Sequence, residues 1–282
     1  MKTVAIVGLG WLGFPLARYL KSIGWQIKGS KRTHQGVESM RLRRLECYRL
    51  ELTPHLNAEP DELEALFDAN ALIINIPPSR YFFDLEQYVQ GVQNLVNEAL
   101  LHRIEHIIFI SSTSIYPQQS GYFDESTPIL SDSDVGKALF EIEQGLQQLV
   151  DIDVDILRLA GLIGNDRHPV YHLSGKHLQQ GNQPVNLVHL TDCLRAIQLL
   201  LETPSGHRLY NLTAPQRPTR AEYYPYMATQ FALTPPTFDK TINDLQRHIL
   251  ANKICQEIGF VYQYPDPYLM LPEQEQDYMV EV

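Results

Sequence analysis

The chain of 282 residues is poor in cysteine, in positive charge and in long apolar runs, and each shortage excludes something. Its three cysteines, Cys47, Cys193 and Cys255, stand far apart with no C-x-x-C pair. That spacing supports neither a disulfide framework nor a zinc site, and it makes a reducing, cytoplasmic location the expectation. Lysine and arginine number 23 against 33 aspartates and glutamates, a formal charge of −10. So acidic a chain repels a phosphate backbone, and no nucleic-acid partner is expected. No stretch reaches about 18 uninterrupted apolar residues, so no membrane span is expected. Lys2 and the apolar run to Ala17 look superficially like a signal peptide, but the glycines, Trp11 and Pro15 inside it suit a first strand and helix better. What is present is an ordinary globule, 44% hydrophobic and 20% charged, large enough for one big domain or a large and a small one.

Residues 4–13 read VAIVGLGWLG, an apolar strand running into Gly8-x-Gly10-x-x-Gly13. Gly8 permits a tight turn, Gly10 lets a diphosphate approach the backbone, and Gly13 lets the next helix lie close on a sheet. The N–H groups of that helix start face the anion. Leu9, Trp11 and Leu12 belong to the same loop, so residues 8–13 are the candidate dinucleotide cradle. The next strand, from Gln26, ends at Ser30-Lys31-Arg32-Thr33, where NAD binders usually carry an acid about twenty residues past the glycines. A carboxylate there repels a 2′-phosphate, whereas cations and hydroxyls hold one by charge-assisted hydrogen bonds. NADP is therefore expected over NAD, with Ser30, Lys31 and Arg32 as contacts. The plain alternative is a basic surface loop.

Strand and helix alternate through the first half: a helix over 61–68, a buried strand from Ala71 ended by Pro77-Pro78, a long helix over 85–102, a strand over 106–111, a helix over 134–149 and a strand over 153–159. This is α/β, a Rossmann-type doubly wound parallel sheet, expected over residues 1–164. A smaller substrate-side region is expected over 165–282, returning in part to the main sheet. Strand ends at Gly8, at Ile76-Pro77 and at Ser111 should share the carboxyl edge where such folds bind ligands, which makes Ile76, Pro77 and Ser111 further cofactor contacts.

The hydroxyl-rich segment Ser111-Ser112-Thr113-Ser114-Ile115-Tyr116, at the end of a buried strand, resembles the Ser-Ser-x-x-x-Tyr pattern of the extended short-chain dehydrogenase/reductase superfamily, sugar-nucleotide epimerase/dehydratase branch. Asn94-Leu-Val-Asn-Glu-Ala99, Leu157 to Gly164, Val188-His189-Leu-Thr-Asp192 and Tyr210-Asn211-Leu212 match later landmarks of that family in order. The likeness is to an atypical subgroup. It implies Ser112 as the residue that orients a substrate oxygen, Lys137 as the contact to the nicotinamide ribose, Thr113 beside the substrate, and structural roles for His189 and Asp192. Arg158, Arg167 and His168 fall where sugar-nucleotide relatives hold substrate phosphates, which implies an anionic or sugar-nucleotide small molecule. The plain reading of Arg158 is a structural ion pair, and of Arg167 a surface loop. Relatives often form homodimers through the helices around 85–102 and 134–149. No metal is implied.

The family's Tyr-x-x-x-Lys is broken. Ser133 stands four residues before Lys137, and Ser131-Asp132-Ser133-Asp134 reads as a helix cap with acids in the first turn. An aliphatic hydroxyl is far too weak an acid to replace a phenol of pKa about 10. Tyr88 occupies the position where the family usually has asparagine. A displaced tyrosine, Tyr116 or Tyr88 by location and Tyr122 after them, would have to move the proton. Two readings follow: an NADP-dependent epimerase, dehydratase or reductase, and a non-catalytic NADP(H)-binding sensor or scaffold.

Overall fold

A computed structural model describes residues 2–78, 84–164, 166–204, 206–239, 241 and 244–271. Its centre is a seven-stranded sheet built from β1 (Thr3–Val7), β2 (Gln26–Lys31), β3 (Glu46–Arg49), β4 (Ala71–Ile74), β5 (His106–Ser112), β6 (Asp153–Leu159) and β7 (His207–Leu212), in the spatial order 7-6-5-4-1-2-3. Pairing of β1 with β2 and β4, of β2 with β3, and of β4 with β5 is parallel. Val154 N–H bonds to the Gly206 carbonyl and Ala160 N–H to that of Leu212, so β6 and β7 advance in the same direction too. The sequence dictates this: β1 and β4 are apolar and buried on both faces, which only a sheet covered on two sides accepts.

The helices between these strands are α1 (Gly13–Ser22), α2 (His34–Arg41), α3 (Pro60–Phe67), α4 (Leu85–Leu101), α5 (Asp134–Gln147) and α6 (Leu190–Glu202). In α4 the buried residues Tyr88, Val92, Leu95, Val96 and Ala99 recur at three- and four-residue spacing, and Asp84 caps the start by accepting the Glu86 N–H. Helix α5 buries Ala138, Leu139, Ile142 and Leu146, and the two helices pack against each other. Because Val7 pairs with Ile74 and Ile74 with Phe109, the carboxyl ends of β1, β4 and β5 lie side by side. The other end of the sheet is fastened by charge. The buried Asp155 carboxylate accepts from Arg208 at 2.6 Å through Nε and Nη2 and meets His106 Nε2 at 2.7 Å, which ties β5, β6 and β7 together.

Two compact units result. The first comprises Met1–Pro117, Ile129–Arg158 and Ala196–Tyr210, and the second Gln118–Pro128, Leu159–Arg195 and Asn211–Val282. Within the second, short parallel pairs join Gly161–Ile163 to Leu187–His189 and Gly121–Phe123 to Arg247–Ile249. Its core gathers Ile163, Val170, Val185, Leu187, Tyr223, Met227 and Met270, with α7 (Arg220–Gln230) supplying the aromatic side. His168 sits in that aromatic packing, its Nε2 2.9 Å from the Tyr223 hydroxyl and its ring 5.0 Å from that of Phe231. His189 packs at a 36° tilt on Tyr264 with centroids 3.9 Å apart, and the buried Asp192 carboxylate accepts the N–H groups of Gln263 and Tyr264.

Two outcomes are expected. A methyl at Gly13 would stand 2.2 Å from the Gly8 carbonyl oxygen, so Gly13→Ala should cost about 1–3 kcal/mol in a urea titration. Burial pushes the His168 and His189 imidazoles down to about 4, below the ordinary value near 6.5. The folded protein thus keeps both rings neutral while the unfolded chain takes up protons first. Stability that is intact above pH about 6.5 should fall progressively toward pH 4, by of order 3 kcal/mol for each ring, and denaturant titrations across that window check it.

Candidate active site

The glycine loop divides its glycines by purpose. Gly8 has φ +105°, and a Cβ there would lie 2.4 Å from the Asn75 carbonyl oxygen. Gly13 is pressed against the Gly8 carbonyl. Both are demanded by the protein's own backbone. Gly10 is different: it is exposed, and a Cβ on it would meet nothing within 4 Å. Nothing in the fold requires glycine there, whereas a ligand lying against the backbone does. The start of α1 fits that ligand, since no side chain caps it and no acid occupies its first turn. A diphosphate would find N–H donors and a positive dipole end with no competing anion. The residues present therefore fit a dinucleotide.

Leu9 and Leu12 are buried, and Leu9 fills the space that a side chain at Gly29 would need, 2.3 Å from such a Cβ. Ser30 is also buried. Its hydroxyl accepts the Gly8 N–H at 3.2 Å and its carbonyl accepts the Leu9 N–H at 3.1 Å, so it braces the loop from β2. Asn75, which the sequence reading did not single out, does the same from β4: its amide donates to the Gly8 carbonyl at 3.0 Å. A lone polar residue closing the apolar run ALII ahead of Pro77-Pro78 was the available signal. Ile76 and the exposed Pro77 follow on that edge. At the end of β2, Lys31 is half-buried and Arg32 exposed, and Thr33 caps α2 by accepting the Gly36 N–H at 3.1 Å. The first turn of α2 holds no acid either.

At the end of β5 lies a second cluster. The Ser111 hydroxyl donates to Glu143 at 2.6 Å, and Arg158 binds the same carboxylate through Nε at 3.1 Å and Nη2 at 2.6 Å. Nη1 of Arg158 donates to the Tyr116 hydroxyl at 2.8 Å, and the guanidinium lies 5.1 Å from that ring's centroid. All four residues are buried. Desolvation works against the Arg158 charge, but the hydrogen bonds and charge of Glu143 outweigh it and hold the guanidinium above its usual range. Ser112 is partly exposed; its Oγ accepts the Ser114 N–H at 3.1 Å, which leaves its own proton to donate. Thr113 is buried beside it.

Tyr88 is sealed, its hydroxyl donating to the Ile76 carbonyl at 2.8 Å, and burial pushes its pKa up. Ser133 caps α5, its hydroxyl accepting the Gly136 N–H at 3.0 Å. Lys137, one turn on, is mostly exposed, stands 3.4 Å from Asp134 and lines a surface cavity of about 380 Å³ with Ile129, Ser131 and Phe140. In the second unit Arg167 is exposed on a short bridge to Gly164. His168 uses Nδ1 to accept the Val170 N–H at 3.0 Å, so its Nε2–H donates to Tyr223, and a ligand contact would have to break one of these bonds. Tyr122 is exposed. Among the described residues no three His, Cys, Asp or Glu side chains gather as metal ligands, and no helix is long and apolar enough to cross a membrane.

Comparison with known proteins places this geometry. Residues 4–213 match the model of the NAD dependent epimerase/dehydratase family. Protein YeeZ of Escherichia coli strain K12 is 48% identical over 271 residues, 96% of this chain and 99% of that protein. Among solved structures, a UDP-glucuronic acid 4-epimerase from Bacillus cereus in complex with NAD superimposes with a TM-score of 0.78 at 18% identity, covering 96% of each chain. A UDP-N-acetylglucosamine 4-epimerase from Bacillus cereus does so with a TM-score of 0.77 at 14% identity, covering 97% of this chain and 100% of that one. With its glycine cradle at the head of a parallel Rossmann sheet, the chain belongs to the NAD dependent epimerase/dehydratase family.

Proposed function

We propose that the first unit binds NADP(H) and that the protein uses it on a carbonyl or hydroxyl group of an anionic small molecule, as an epimerase/dehydratase or a reductase. The observation that carries the cofactor is Gly10, a glycine with no structural employer at the mouth of an uncapped helix. The preference for the 2′-phosphate rests on Lys31 and Arg32 beside the acid-free start of α2. Bound, the nicotinamide supplies or accepts hydride; the chain's own residues then have to hold a substrate oxygen and manage a proton. Ser112 is suited to the first task, because its oxygen already accepts from Ser114 and its proton is available to a substrate oxygen. Lys137 serves the ribose. For the second task Tyr116, whose hydroxyl accepts from Arg158 at 2.8 Å at the end of β5, is preferred to Tyr88, whose hydroxyl is engaged by the Ile76 carbonyl. The match to epimerases that act on UDP-sugars supports a sugar-nucleotide substrate.

A second reading, an NADP(H)-binding sensor or scaffold without turnover, is favoured by one observation. The residue at the family's tyrosine position, Ser133, is occupied as a helix cap, and Tyr88 and Tyr116 are fully buried.

Titration with the four nicotinamide cofactors, read by reduced-nicotinamide fluorescence and thermal shift, tests the shared part. NADPH should bind at least about tenfold tighter than NADH, and Lys31→Ala with Arg32→Ala should remove most of that difference. Gly10→Val should abolish binding and leave the melting temperature of the free protein nearly unchanged. Equal affinity for all four cofactors would overturn the NADP preference. In a screen of carbonyl and UDP-sugar substrates, the enzyme reading expects turnover that falls about 100-fold or more in Ser112→Ala and in Tyr116→Phe. Tight NADPH binding with no hydride exchange on any of them would favour the sensor.

A further inference from the structure

The charge of the first unit is divided unevenly along the chain. Residues 1–50, which build β1, α1, β2, α2 and β3, hold 10 of the 23 lysines and arginines but 2 of the 33 aspartates and glutamates, and so carry +8. The remainder of the unit, residues 51–117, 129–158 and 196–210, holds 5 of the former and 18 of the latter, and carries −13. Part of the positive excess is answered locally. Lys28 pairs with Asp68 at 2.8 Å, Arg41 with Glu38 and Glu62, and Arg49 with Glu51.

Three cations are left over, and they lie along one helix. Lys21, Arg43 and Arg44 are exposed and, among the described residues, have no carboxylate partner. The Arg43 guanidinium lies 4.9 Å from the ring centroid of Phe14 in the first turn of α1, and the Phe14 N–H bonds the Gly10 carbonyl at 3.0 Å. Lys21, in the last turn of α1, donates to the Arg44 carbonyl at 2.6 Å. One flank of α1 is thus lined by unanswered positive charge from the cradle end to the far end, a span of about 12 Å at 1.5 Å per residue. A charge at the far end does not touch a diphosphate at the helix start, but its field reaches there. The Debye length is about 8 Å at physiological salt and about 30 Å at 0.01 M. A surface of one sign beside a site raises the rate at which oppositely charged ligands are captured.

We propose that Lys21, Arg43 and Arg44 form an electrostatic guide that draws the phosphate-rich adenosine end of NADP(H) to the glycine cradle, acting on capture rather than on the bound state. This rests on the NADP(H) reading above and adds its kinetics. The ligand's own charge suits the guide, because the phosphoryl groups of NADPH crowd toward the adenosine end and leave the nicotinamide end bare. Attraction to residues 1–50 and repulsion from the acidic remainder then turn the dinucleotide adenosine end first as it arrives.

Stopped-flow mixing of the full chain with NADPH, followed by reduced-nicotinamide fluorescence at rising sodium chloride, tests this. Between about 0.01 and 0.5 M salt the association rate constant should fall at least about tenfold. NADH, which lacks the 2′-phosphate, should show a shallower fall. Arg43→Gln with Arg44→Gln should slow association about three- to tenfold at low salt, keep dissociation within about twofold, and match the unaltered protein at high salt. Arg43→Lys with Arg44→Lys should restore the rate, because guidance needs charge and not the guanidinium fork. Lys21→Gln with Arg44→Gln, which spares the Arg43–Phe14 contact, should slow association too. Association indifferent to salt or to both Gln pairs would overturn the guide. A loss confined to dissociation, or one that lysine does not restore, would overturn it by making these residues direct contacts. Unchanged NADPH capture with altered sedimentation in the Gln pairs would assign the flank to the acidic surface of a second copy instead. No fluorescence change with NADPH at any salt would remove the cofactor reading and the guide with it, whereas normal binding at a salt-independent rate removes the guide alone.

Discussion

The first unit is organised around a backbone contact with no room for a single methyl group. The carbonyl of Gly8 meets Gly13 on one side and takes the Asn75 amide on the other, while the N–H of Gly8 is held by the Ser30 hydroxyl. Three strands, β1, β2 and β4, thereby fix one peptide, and that peptide fixes where α1 begins. The position of the uncapped helix start, on which the proposed role of Gly10 depends, is set by this contact. An anion site made of backbone dipoles works only if it is rigid before the ligand arrives, because each N–H is weak and they must point together. The polar residues Ser30 and Asn75 supply that rigidity, and their burial is the reason they are hydrogen-bonded on the loop side.

The same logic of answered polar groups runs through the end of β5. A carboxylate as buried as Glu143 is tolerable only because Ser111 and Arg158 together saturate both its oxygens. This network holds the last turn of β5 in place, and Ser112 is the next residue along. Removing one partner would leave a charge stranded, which costs more than the pair contributes. Whatever Ser112 contacts, its position is inherited from a salt bridge beneath it.

The fold was legible in the sequence because its signals are local. The apolar runs at 4–7 and 71–74, the long amphipathic stretch at 85–101 and the Gly8-x-Gly10-x-x-Gly13 spacing each determine their element without reference to distant residues, and observed boundaries differ from the expected ones by about a turn or less. Assignment of the cradle to residues 8–13 came from the same kind of signal. Roles that depend on long-range partners were not legible. The sequence assigns Ser30 to the cofactor; the bond its hydroxyl accepts from the Gly8 N–H, 22 residues away, is not visible there. The sequence leaves Arg158 open between a substrate contact and an ion pair, and its ion-pair partner Glu143 lies on another element. The resemblance puts His168 beside substrate phosphates; its packing against Tyr223 of α7, more than fifty residues downstream, is not visible in the sequence. Asn75 went unnoticed because one polar residue at a strand end is unremarkable until its partner is known.

Arg158 bears on where a ligand is not to be sought. It has a carboxylate at 2.6 Å and a phenol at 2.8 Å, so its charge is balanced and its donors are used; a ligand arriving there would have to displace Glu143 at a net loss.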